Sequence, residues 1–180
     1  TVAKSILGEG YAATRPANYA GTRVRFKVLL YYSENVEEAH AQFAHQTIDF
    51  FKKLTYGEGY SLEVTTDFSE YDVVIMPNVT PWAPEERAAF EQYMKNGGGW
   101  VGFHAAAYND RHTNWPWLLE FLGGGVFLCN NWPPQPVLLE LDTQDHQVTK
   151  NLPKEFVAPA SEWYQWSPSP RDNDDIQVLA

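Results

Sequence analysis

A chain of 180 residues, 44% apolar and 15% aromatic, can bury one full hydrophobic core, which argues against disorder. Its formal charge of -10 disfavours nucleic acid and anionic membrane surfaces as partners, because phosphate rewards Lys and Arg; a neutral or cationic small molecule fits better. The single cysteine, Cys129, closes no intramolecular disulfide, and the absence of any CxxC pair gives no zinc signature.

Residues 1–22 mix Gly, Ala, Pro and Asn without a period and read as an N-terminal arm. RFKVLLYY (25–32) is rich in β-formers and predicts a strand. A helix follows, with Asn35 as N-cap and Glu38 completing a capping box. Phe43, Thr47, Phe50, Phe51 and Leu54 recur at helical spacing as its buried face, and Tyr56-Gly57 stops it. SLEVTTD (61–67) and YDVVIMPN (71–78) are further strands; the unbroken apolar run of the latter suits a parallel sheet covered on both faces. Pro84, Glu85 and Glu86 open a second helix carrying Ala88, Ala89, Phe90, Tyr93 and Met94, and Gly97 ends it. WVGFHA predicts the fourth strand, WPWLLEFL (115–122) a short helix, VLLELD (137–142) a fifth strand and IQVLA (176–180) a sixth.

This βα alternation predicts one open, doubly wound α/β domain over 23–180, without repeats or low-complexity tracts. No 18-residue apolar run predicts a membrane span. The N-terminus lacks the basic segment and apolar core of a signal peptide, though a processed signal leaves no trace, so a soluble protein of cytoplasm or periplasm fits equally.

Ligands of such sheets gather at the carboxyl ends of the strands. His104 ends strand four, His40 lies early in the first helix, Asp145 and His146 follow strand five, and Glu162 precedes strand six. Each also has a structural reading: a solvated helix position for His40, a hydrogen-bonded core histidine for His104, a turn for Asp145-His146, a surface ion pair for Glu162. His45 lies far round the helix from His40, and His112, in the polar DRHTN loop, is a secondary candidate. Convergent His and Glu suit a divalent metal such as Zn²⁺, ligated by His40, His104, His146 and Glu162, or metal-free acid/base catalysis. Gly123-Gly124-Gly125 lacks the GK[ST] of a phosphate loop, and no GxGxxG precedes a helix. The seven tryptophans serve either a Trp-rich core or stacking on a flat sugar face.

GGGWVGFHAAA, WPWLLEFLGGGVF, LELDTQDHQVTKNLP and SEWYQW, in that order from about Arg25 onward, resemble the trehalose-utilisation (ThuA-like) family. The resemblance implies a class I glutamine amidotransferase-like fold, a flavodoxin-like three-layer sandwich with a mostly parallel sheet. In the amidotransferases a cysteine nucleophile sits at the sharp turn after the corresponding strand, flanked by small residues. Here that turn carries His104, and Cys129 lies on a different loop, so thiol-based glutamine hydrolysis is disfavoured. The family's GxHA histidine corresponds to His104, its DHP to Asp145-His146 with Gln147 for the proline, its acidic residue before an aromatic to Glu162, and an early histidine to His40. The Gly-Arg stretch and later histidine of similar proteins have no counterpart before Ala180.

The implied substrate is a disaccharide or glycoside, or its 3-keto derivative. His104, His146 and Glu162 are then the expected catalytic residues, and His40, Asp145, Trp132 and Trp163 the expected substrate contacts. The alternative is a non-catalytic glycan-binding or assembly domain, and the Trp-rich segment Asn130–Pro136 suits a homodimer contact.

Overall fold

A computed structural model describes residues 26–58, 60–63, 68–78 and 83–180. The expected N-terminal arm, strand positions 25 and 64–67, and the side chain of Leu54 lie outside the described residues. The chain divides into two compact units, 1–108 and 109–180, both within the expected 23–180 domain apart from the arm.

The first unit is a mixed α/β structure. Its strands β1 (Phe26–Leu30), β2 (Tyr60–Glu63), β3 (Val73–Met76) and β4 (Gly99–Gly102) form a parallel sheet in the order β2-β1-β3-β4. Neighbouring strand residues point to opposite faces, yet Leu29 and Leu30 are both fully buried, so both faces of β1 are covered. On one face Val28, Leu30, Tyr32 and Ile75 pack with Ala44 and Ile48 of helix α1 (Glu38–Glu58). Elsewhere in the unit Tyr31 meets Phe68 edge-on at 5.0 Å, and Phe68 meets Phe90 of helix α2 (Pro84–Lys95) at 6.0 Å. Each such apolar side chain removed from water contributes about 1.5–3 kcal/mol.

α1 starts later than the sequence predicts. Asn35 is not its N-cap: the Asn35 N–H donates to Ser33 Oγ, and the first helical turn closes on the Glu37 carbonyl, which accepts from the His40 and Ala41 N–H groups. Its buried face is also rotated, formed by Ala44, Thr47 and Ile48, while Phe43 and Phe50 are exposed. The small Ala44 allows close approach to the sheet. α2 agrees with its prediction: Pro84 stands in the first turn, Glu86 accepts the Ala83 N–H at 2.8 Å, Phe90 and Tyr93 are buried, and Gly97, at φ +87°, stops the helix.

The second unit departs from the predicted parallel continuation. Helix α3 (Pro116–Phe121) forms as expected, but β5 (Val126–Asn130) pairs antiparallel with β8 (Tyr164–Ser167), and β6 (Gln135–Glu140) antiparallel with β7 (Glu155–Ser161). The VLLELD segment is therefore one side of a two-stranded ribbon, with Leu138 exposed opposite exposed Val157. IQVLA forms no strand; the Leu179 carbonyl accepts the Asp142 N–H at 2.9 Å without a ladder of pairs. Cys129 lies within β5, not on a loop, and its thiol faces the Gln165 side chain at 3.6 Å. No described helix is long and apolar enough to cross a membrane.

Candidate functional site

β4 ends in Gly102, and a Cβ there would lie 2.1 Å from the Trp100 ring, so only glycine lets the strand turn against that indole. Phe103 remains tied to the sheet, its N–H donating to the Met76 carbonyl at 2.9 Å. The next residue, His104, has φ +45°, the left-handed region that costs a residue with a Cβ about 1–2 kcal/mol. It opens a 3₁₀ turn, His104–Ala107, whose Ala105 and Ala106 are buried. The chain thus makes the sharp turn the sequence suggests, with an exposed histidine at its point.

His40, third residue of α1, comes to meet it. The two Nε2 atoms are 3.1 Å apart, with the ring centroids 4.9 Å apart at 64°. For the neutral pair this contact demands opposite tautomers: one Nε2 carries the proton and donates, the other presents its lone pair and keeps its proton on Nδ1. Below the pair Phe43 and Phe103 pack edge-on at 5.7 Å.

Asn78, which the sequence reading missed, holds this edge together. It is fully buried just beyond β3, and its side chain makes three hydrogen bonds of 3.0 Å: Oδ1 accepts the Ser33 N–H, and Nδ2 donates to the Ser33 and His40 carbonyls. One amide therefore joins the end of the β1 connection to the first turn of α1 and fixes the backbone that carries His40. A polar residue ending the apolar run VVIMPN was the available signal.

The remaining predicted residues lie in the second unit. His146 sits in a turn where its Nδ1 accepts the Val148 N–H at 3.2 Å, so the neutral ring carries its proton on Nε2. Its carbonyl accepts the Thr149 and Lys150 N–H groups. Asp145 is exposed, its N–H donating to Thr143 Oγ1 at 3.0 Å, and Gln147 continues the turn.

Glu162, at the β7–β8 junction, accepts Asn130 Nδ2–H on one oxygen at 3.0 Å and the Tyr164 O–H on the other at 2.8 Å. Among the described residues it makes no surface ion pair of the kind weighed from the sequence. Trp163 is held by its neighbours: its backbone N–H donates to Asn131 Oδ1 and its indole N–H to the Gln135 carbonyl, both at 2.6 Å. Trp132 stands in contrast at 78% exposure. Asn130, Asn131 and Tyr164 are the other members of this cluster that sequence reasoning missed. His112 belongs to a local turn built on Asp110, which accepts its N–H at 2.8 Å. His45 pairs with Glu34.

Zinc sites take at least three protein ligands; among the described residues no group of three or more His, Cys, Asp or Glu is placed to hold a metal ion, and of the four expected ligands His40 and His104 meet each other.

Comparison with known proteins accords with these local features. No curated protein matches the chain. A ThuA-like protein from Bacteroides uniformis of known crystal structure is 64% identical, with a TM-score of 0.82 over 92% of this chain and 70% of its own. A second, from Parabacteroides merdae, is 19% identical with a TM-score of 0.58, over 77% of this chain and 62% of its own, and shares the fold. The family described as ThuA, trehalose utilisation, matches residues 27–180, and the chain belongs to it.

Proposed function

We propose that the chain is an enzyme that moves a proton on a sugar, with the His40–His104 pair as the proton-transfer group and a glycoside or disaccharide bearing a 3-keto group as substrate. The observation that carries this reading is the strained, exposed His104 at the end of a parallel strand, in hydrogen-bond contact with a second imidazole. A ketone acidifies its neighbouring C–H. The ring that donates through Nε2 keeps its lone pair on Nδ1; that nitrogen takes the proton, the C–H electron pair forms the enolate C=C, and the carbonyl oxygen takes the negative charge. An N–H donor facing that oxygen stabilises it. The strand order β2-β1-β3-β4 and the two-sided cover of β1 support a flavodoxin-like sandwich of the amidotransferase type.

The test is exchange of the C–H protons beside the ketone of 3-keto-trehalose in D₂O, followed by NMR. The intact chain accelerates exchange, and His104→Ala lowers the rate by about 10²–10⁴-fold while leaving the unfolding transition cooperative. Equal exchange by the two proteins removes His104 from the mechanism.

A second reading, a glycan-binding module without chemistry, is favoured by the exposed Trp132 indole, which follows Asn131 in the chain. Sugar-dependent quenching of tryptophan fluorescence that is lost in Trp132→Ala, without any proton exchange, would select it.

A further inference from the structure

A pocket of about 370 Å³ lies in the first unit away from the histidine pair, walled by Phe68, Tyr71 and Tyr93 and edged by Asp72, Gln92 and Asn96. Asp72 immediately precedes β3 and Gly98 precedes β4, so the pocket belongs to the amino edge of the sheet, whereas His104 follows β4. Six residues of extended chain separate Gly98 from His104, about 20 Å at the strand rise. The volume falls in the range of small-molecule sites, about 300–1,000 Å³.

Its polar groups select a chemistry. Gln92 and Asn96 stand one helical turn apart, and Gln92 Nε2 donates to Asn96 Oδ1 at 2.9 Å. That bond orients both amides, turning the Gln92 carbonyl oxygen outward as an acceptor and the Asn96 amide protons outward as donors. Asp72 uses Oδ2 to accept the Lys27 N–H at 2.7 Å, and Oδ1 is left as a further acceptor. Among the described residues no Lys or Arg lines the pocket, and the Lys27 ammonium is paired with Glu70 at 3.4 Å, so the described lining offers an anionic ligand no counter-charge. Gly97 and Gly98 add backbone without side chains at the rim. Neutral donors and acceptors beside aromatic rings, with one carboxylate to receive a hydroxyl proton, match an uncharged polyhydroxylated ring.

We propose that this amino-edge pocket is a second binding site, distinct from the histidine pair, and that it takes a single neutral pyranose. Titration of the ¹⁵N-labelled 180-residue chain with D-glucose, read by backbone and side-chain amide shifts, tests it. Saturable shifts are expected at Gly97, Gly98 and the Asn96 amide. Gln92→Ala, at an exposed helical position where alanine is well tolerated, should weaken them about tenfold, the effect of one lost hydrogen bond. Ala89→Trp should abolish them by filling the pocket, and His104→Ala should leave them unchanged. Three results would each overturn the proposal: no saturable shift at these positions, shifts indifferent to Gln92→Ala and Ala89→Trp, or shifts driven by choline chloride in place of glucose. Because the readout is residue-resolved, it stands or falls separately from proton exchange at His104.

Discussion

Replacing His104 by glycine and, separately, by alanine isolates the backbone strain at the turn. Both variants lose the same imidazole and the same contact with His40, so those contributions cancel in the comparison. Alanine keeps a Cβ at φ +45° and retains the left-handed cost of about 1–2 kcal/mol. Glycine is free of that strain but loses more freedom on folding, about 0.4–1 kcal/mol. The balance makes His104→Gly more stable than His104→Ala by about 0.5–1 kcal/mol, or about 2 °C in Tm for a chain of this size. At an ordinary position the order is reversed, with alanine the more stable. Urea unfolding followed by tryptophan fluorescence reads the difference directly. An alanine variant as stable as the glycine variant, or more so, refutes a left-handed residue at position 104, and the strained turn with it.

Asn78→Asp, nearly isosteric, replaces the Nδ2 donor to the Ser33 and His40 carbonyls with an oxygen and should cost about 3 kcal/mol at pH 7. Burial against two carbonyls raises the new carboxyl's folded pKa, so stability is highest below the ordinary value of about 3.9 and is lost as pH rises through the folded value; equal urea midpoints for variant and parent at pH 7 would show that the amide ties nothing. Burial raises the Tyr93 phenol to about 12, against a smaller lowering by its hydrogen bond to Gly99, and burial aided by the Glu86 carboxylate raises Tyr31 further. Both phenols are thus held protonated by the fold, so their stability contribution is complete below pH 10 and falls as pH climbs towards 12, and Tyr93→Phe should flatten that fall; an equally steep loss in the variant would assign it to other groups.

The first unit was legible because β1 and β3 are buried on both faces, and runs such as KVLL and VVIM declare that without any alternation to misread. The second unit was not, for reasons that lie in particular residues. Pro159 interrupts EFVAPAS, and a proline is tolerated there because, among the described residues, β7 pairs with β6 alone and no second strand requires its N–H. VLLELD reads as a continuous apolar run, yet Leu138 faces outward, so the segment suits a ribbon rather than the middle of a parallel sheet. The start of α1 was misplaced because Asn35 has the right side chain for a cap, while the chain instead spends Ser33 on the Asn35 N–H and closes its first turn at Glu37. Within the candidate site, His104 at a turn could be read from its small neighbours. The 3.1 Å approach of His40, 64 residues away in the chain, could not, since it depends on where α1 begins and on the buried Asn78 amide, which lies in none of the motifs.

The energetics of the histidine pair separate a folding role from a chemical one. A hydrogen bond between partly exposed imidazoles contributes at most about 1 kcal/mol, whereas the φ of His104 costs about 1–2 kcal/mol. That bond and that strain are of similar size, and the turn is also held by other contacts: the Phe103 N–H on the Met76 carbonyl, the edge-on packing of Phe103 with Phe43, and the burial of Ala105 and Ala106. Those contacts would hold a glycine at position 104 at least as well. A histidine at the carboxyl edge of a parallel sheet, with a second proton-carrying ring against it, is maintained in a left-handed conformation at a local cost. Strain of this kind gathers at sites where a group must point in one direction, and here that direction is towards the open edge where His40 waits on a separately anchored backbone.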